Sequence, residues 1–378
     1  MRKTLRLGLA AGSGLVALAF TSVAVAAYAP QFSVTRNVNV ATGDVVTDLT
    51  YTQTQADDPV ARVTFYVPTG YSASLGQAAG AQIGTLEGSV FAAEISSVVP
   101  VNGAIVVADK TSPQAQAAAT QCTGSANHTA IWILNVSAAG STLAVPAYID
   151  SPTGLPFASA AVTFCLAHPS TVVFKIRLLN ATLHLPNIFA PPAAAGTYRW
   201  TGINTPWEPD TATLNAAATI ETQALDSTPV DASLIGKRQT KTRTVKKKAY
   251  TDIFYTYFAK LSGSANVAGG NAASVNVDIF SGDTKITSAT TGSDGSWSTT
   301  LKLTKTTSYR AVYTRPAAAL VGATCDPRIP FPGTAVLIPC GTITNGGFVA
   351  TTGEVKVVKP KLMHKRIKHK KPKKKPKH

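Results

Sequence analysis

The side chains best placed to do chemistry in this chain are its cations. In residues 359–378, KPKLMHKRIKHKKPKKKPKH, eleven of twenty positions are Lys or Arg and none is acidic: Lys359, Lys361, Lys365, Arg366, Lys368, Lys370, Lys371, Lys373, Lys374, Lys375 and Lys377. A second run, KRQTKTRTVKKK at 237–248, carries seven more and again no acid. Such runs bind phosphate- or carboxylate-rich polymers, because each cation displaces a counterion and backbone contacts carry no sequence information. No aromatic residue is interleaved in the tail, so bases find no stacking platform there. The partners this predicts are anionic cell-envelope polymers or an anionic lipid surface, with no specific nucleic acid.

Other chemistry is thinner. The segment YRWTGINTPWEPD (198–210) holds two of the four tryptophans. Trp200 and Trp207 could offer flat apolar faces to sugar rings while Glu208 and Asp210 accept hydroxyl hydrogens, which makes a glycan a possible ligand; two strand or loop tryptophans packed in a core would show the same spacing. Acidic pairs occur at Asp57–Asp58, Glu208 with Asp210, and Asp226 with Asp231, but Asp before a strand ordinarily caps a turn. No Gly-x-Ser-x-Gly elbow and no His-Glu-x-x-His helix is present. His128, His168 and His184 stand apart, without a second ligand at metal-binding spacing. No enzyme, metal or cofactor is therefore expected, with a secreted hydrolase using the acids of residues 27–236 as the remaining alternative to a binding protein.

The cysteines and the first residues speak to compartment. Arg2, Lys3 and Arg6 precede a stretch without charge, ending in Ala24-Val25-Ala26 before Ala27. That is the pattern of a secretory signal over residues 1–26, with an uncleaved anchor as the alternative and no later membrane span. In an exported chain four cysteines without zinc spacing read as disulfides. The simplest scheme pairs Cys122 with Cys165 and Cys325 with Cys340, and closing the second, short loop stabilises by about 3 kcal/mol. The expected location is secreted and associated with the cell surface or wall.

Positioning all this are strands. The net charge of +16 is confined to the two runs and the signal, since residues 27–236 hold thirteen acids against six bases. Like-charge blocks repel themselves, so 237–248 reads as a disordered linker and 359–378 as a disordered tail broken by prolines. Between them, period-2 alternation dominates, as in VARVTFYV (60–67), AIWILNV (130–136) and VVFKIRLLNATLHL (172–185); only QAQAAATQ (114–121) could hold helix. The fold class expected is all-β: a large β-sandwich over 27–236, or two small ones, and a second sandwich over 249–358.

Residues 275–313 carry T-x-x-D-G-x-W-S before one strand and T-T-x-Y-R-A-x-Y within the next. This stretch resembles the Ig-like and carboxypeptidase-regulatory-like β-sandwich modules of exported bacterial surface proteins. The resemblance covers turns and core positions, and implies a spacer or adhesion role. A cystine-closed insertion between Leu320 and Cys340 departs from the plain module.

Overall fold

The computed structural model describes residues 28–138, 141–268, 270–325 and 338–370. The strands of five residues or more are β1 (Gln31–Asn39), β2 (Val45–Thr52), β3 (Val60–Pro68), β4 (Gln82–Ala92), β5 (Ser97–Val107), β6 (Ala130–Ala138), β7 (Ser141–Asp150), β8 (Ala158–Cys165), β9 (Ile176–Pro186), β10 (Gly196–Pro206) and β11 (Ile220–Thr228). They continue with β12 (Ile235–Lys246), β13 (Tyr250–Val267), β14 (Asn276–Ser281), β15 (Thr284–Thr290), β16 (Ser296–Lys302), β17 (Thr307–Arg315), β18 (Cys340–Asn345), β19 (Gly347–Thr351) and β20 (His364–Lys368). One α-helix is described, α1 (Pro113–Thr123), entered through the Ser112 side chain, which accepts from Ala115 N, and ended at Gly124 with φ 79°.

The protein is all-β, and its first eleven strands face one another across an apolar interior. They are joined edge to edge instead of stacked as two separate sheets: β1 pairs β2, then β9, β4, β5, β6, β7, β8, β3, β10 and β11 follow in hydrogen-bonded order. The ring is closed from the far end of the chain. Strand β18 runs parallel to β11, and after Gly346 its continuation β19 runs parallel to β1. The sheet is thus a barrel whose last stave comes from residues 340–351.

Pleat decides which residues fill it. Val63, Phe65 and Val67 of β3 lie opposite Phe164, Val162 and Ala160 of β8, and all six are buried. Phe32 stacks on Phe65 with ring centroids 4.4 Å apart. Outward positions of the same strands are Arg62, Thr64 and Tyr66, with Thr163 bonding Thr64 at 3.0 Å. Apolar-in and polar-out is the reverse of a lipid-facing barrel. At Gly88 and Gly103 an added Cβ would run into the Asn180 and Asn135 carbonyls, so the wall coils there as only glycine permits.

One end of the barrel is plugged. Trp132, Phe189 and Trp200 fill it, and beside them Arg36 is buried against Asp226. Tyr71 Oη donates to the same carboxylate oxygen at 2.5 Å, and Arg36 Nη1 donates to Thr47 Oγ1 at 2.6 Å. Burial, with Asp226 next, pushes the Tyr71 hydroxyl pKa up.

The second body packs two sheets. One is β15–β14–β17–β19; the other is built on β13, flanked by β12 on one edge and by β16 and β20 on the other. Tyr257, Leu261, Val277, Ile279, Trp297 and Tyr313 meet between them. Trp297 Nε1 donates to Tyr313 Oη at 2.6 Å, which donates on to Ser233 O at 2.6 Å. Gly295 takes φ 75° in the turn before β16, as the Asp-Gly pair there requires.

Three boundaries differ from those expected. Residues 237–248 are not a disordered linker, because β12 pairs residue for residue with β13. Tail residues 364–368 are not disordered, because they add β20 to the other edge of β13. Residues 340–351 serve both bodies. The disulfides join Cys122 to Cys165 and Cys325 to Cys340 as expected. Residues 1–27 lie outside the described set, and among the described residues no helix is long and apolar enough to cross a membrane.

Candidate polyanion-binding face

Strand β13 is the spine of this site. Its odd-numbered residues Tyr257, Ala259 and Leu261 are buried, which turns the even-numbered ones outward. Residues directly opposed across an antiparallel pair share a face. On the β12 side, Arg243 lies opposite Phe254, Lys241 opposite Thr256 and Lys237 opposite Lys260. On the other side, Lys368 lies opposite Tyr250, Arg366 opposite Asp252 and His364 opposite Phe254, while β16 sets Lys302 opposite Phe258.

One exposed face therefore carries Lys237, Lys241, Arg243, Lys260, Lys302, Arg366 and Lys368 among three aromatic rings. At about 3.4 Å per residue, the twelve residues of β12 extend it over roughly 40 Å. Repulsion between these cations is relieved locally. The Arg366 guanidinium sits 4.1 Å from the Tyr250 ring, Arg243 is 5.1 Å from Phe254 and Lys241 Nζ is 5.3 Å from Phe258. Each exposed contact of this kind contributes about 0.5–1 kcal/mol. Each of the three rings thus has a cation packed over it.

Asp252 is the acid on this face. It accepts from Arg366 Nε at 2.7 Å and Nη2 at 3.1 Å and contacts His364 Nε2 at 2.8 Å. The Arg366 bonds are the main cause of a carboxyl pKa lowered to about 2. His364 in turn stacks on Phe254 with centroids 4.8 Å apart. This cluster docks the tail strand to the spine.

Of the tail residues singled out in the sequence, Arg366 and Lys368 join the face, Lys365 points to the opposite side, and Lys359, Lys361 and Lys370 flank the strand, all exposed but Lys359, which is half-buried. Lys371, Lys373, Lys374, Lys375 and Lys377 lie outside the described residues. Lys260, Lys302 and the rings of Tyr250, Phe254 and Phe258 were missed; the signal for them is the Thr240, Thr242, Thr244 alternation, which marks β12 as a strand.

The paired-tryptophan site does not form. Trp200 is on the interior phase of β10, fully buried edge-on to Tyr71 at 5.3 Å and Phe189 at 5.6 Å. Trp207 is half-buried past the strand end, against His168 at 5.6 Å. No ring face is left for a sugar at Trp200.

Asp57, His184 and His128 each have structural partners. Asp57 accepts from Thr54 N at 2.5 Å and Ala29 N at 3.1 Å, holding a turn. His184 Nδ1 meets Asp48 at 2.8 Å. Thr123 Oγ1, His128 and Asp150 line up in hydroxyl–imidazole–carboxylate order at 3.0 and 2.8 Å. That hydroxyl also donates to Ala119 O at 2.9 Å, and it stands at the C-terminal end of α1, whose carbonyls repel a developing oxyanion. Among the described residues no three His, Cys, Asp or Glu side chains gather as a metal would need.

Comparison with protein-family models, with curated proteins and with solved structures returned no match.

Proposed function

We propose that this is an exported, non-catalytic binding protein that attaches through the β12–β13–β20 face to phosphate- or carboxylate-rich polymers of the cell envelope. The observation that carries the reading is the cross-strand register, which puts cations from four strands on one surface. A folded array loses less freedom on binding than a loose tail. Near an anionic surface each Lys or Arg contributes about 1 kcal/mol, and salt screens it. Two disulfides are compatible with an oxidising compartment. The barrel would then be the displayed body, in a structural or adhesive role.

The test is equilibrium binding of the full chain to long-chain polyphosphate across a salt series. Charge reversal at Lys241→Glu with Arg243→Glu keeps the strand exposed and paired. It should weaken binding at least tenfold and lower the slope of log K against log salt by about 1.4, at roughly 0.7 per lost phosphate contact. Unchanged affinity and slope would sink the proposal. A nucleic acid bound with sequence preference would replace envelope polymer by a different partner.

A further inference from the structure

Opposite the plugged end, the barrel interior is open space. A cavity of about 560 Å³ lies among Val90, Val101, Leu134, Val136, Leu178 and Leu183, within the range of ligand pockets and far beyond a packing defect. A closed barrel whose side chains do not fill it has room for a small molecule inside. The cavity reaches the surface beside the 169–175 segment, where apolar side chains stand in water: Val173 is 72% exposed, Leu143 41% and Phe174 36%. Phe174 and Lys175 both take positive φ, 61° and 46°, a conformation that costs a bulky residue energy and that collects at ligand clamps.

The charged group on the lining is Arg177. Its Nη2 donates to the Asp57 carbonyl, while its Nε is buried without a hydrogen-bond partner among the described residues. A buried guanidinium N–H left without an acceptor is costly. Asp58 lies in the same field, so an incoming anion competes with it.

We propose that the barrel binds a single-chain amphiphile, with its hydrocarbon in the cavity and an anionic head, carboxylate or phosphate, at Arg177. This rests on the interior and not on the basic face, so either can fail alone.

The full chain is titrated with a polarity-sensitive fluorescent fatty acid, with the phosphate monoester of the same chain, and with the corresponding alcohol, in 0.5 M salt to silence the basic face (about a 4 Å screening length). Both acids should bind with enhanced emission, and the tighter one identifies the head. Val136→Phe, which fills the cavity, should weaken all three probes at least tenfold without lowering the melting temperature. Arg177→Gln should weaken the acids about tenfold and leave the alcohol unchanged. Val136→Phe binding as tightly as the wild type would place the probe outside the barrel and overturn the proposal. Equal loss of acids and alcohol in Arg177→Gln would overturn the head-group assignment.

Discussion

Asp252 shows how one carboxylate makes a basic strand foldable. Its three contacts come from the tail, and they hold its pKa at about 2 against an ordinary 3.8. A depressed carboxyl stabilises the docked strand above the unfolded pKa, and that stabilisation is lost as pH falls from about 4 to about 2. An NMR titration of the Asp252 carboxyl should therefore show a midpoint near 2; one near 4 would mean that Arg366 is not bound to it. Asp252→Asn should speed tryptic cleavage after Lys365 and Arg366 severalfold at pH 8. None of this was legible at the residue level, because Asp252 and Arg366 are 114 positions apart. Trp200 teaches the converse: its aromatic face was visible in the sequence, but the pleat that buries it is a matter of phase, and one residue's shift would have exposed it.

At the scale of elements, β12 and β20 were misread for one reason. Blocks of Lys and Arg repel each other in isolation, but a strand sends alternate side chains to opposite faces, and a neighbouring strand supplies rings and a carboxylate. The tail contributes only part of the face. Deleting residues 359–378 removes Arg366 and Lys368 but leaves Lys237, Lys241, Arg243, Lys260 and Lys302 in place. Binding to polyphosphate should fall and its salt slope flatten, with measurable affinity remaining. Complete loss would assign the work to the tail alone. The turn at Gly295 was legible, since an Asp-Gly pair acts through local backbone geometry, whereas α1 was marked only by its Ala-rich stretch 114–121, and the Ser112 cap that extends it to Pro113–Thr123 was seen only in the structure.

At the scale of the whole molecule, closure is the decisive feature. Residues 340–351 complete the barrel and also join the second body, so the two are coupled through one segment. At the plugged end the same closure is served by Arg36 and Asp226, 190 positions apart and both buried. Asp226→Ala leaves a guanidinium buried without its counter-ion, and urea denaturation should show a loss of about 3–5 kcal/mol. A change below about 1 kcal/mol would mean that water reaches Arg36. The all-β class, the apolar–polar alternation of individual strands and the simplest cystine scheme were read from the sequence itself, because period, turn residues and cysteine placement are local or countable properties. Which strands meet, that the first sheet closes, that a cavity remains inside it, and that scattered cations share one face were decided only by the tertiary structure. Those are long-range pairings, chosen by the burial of many residues at once, and no short stretch of chain contains them.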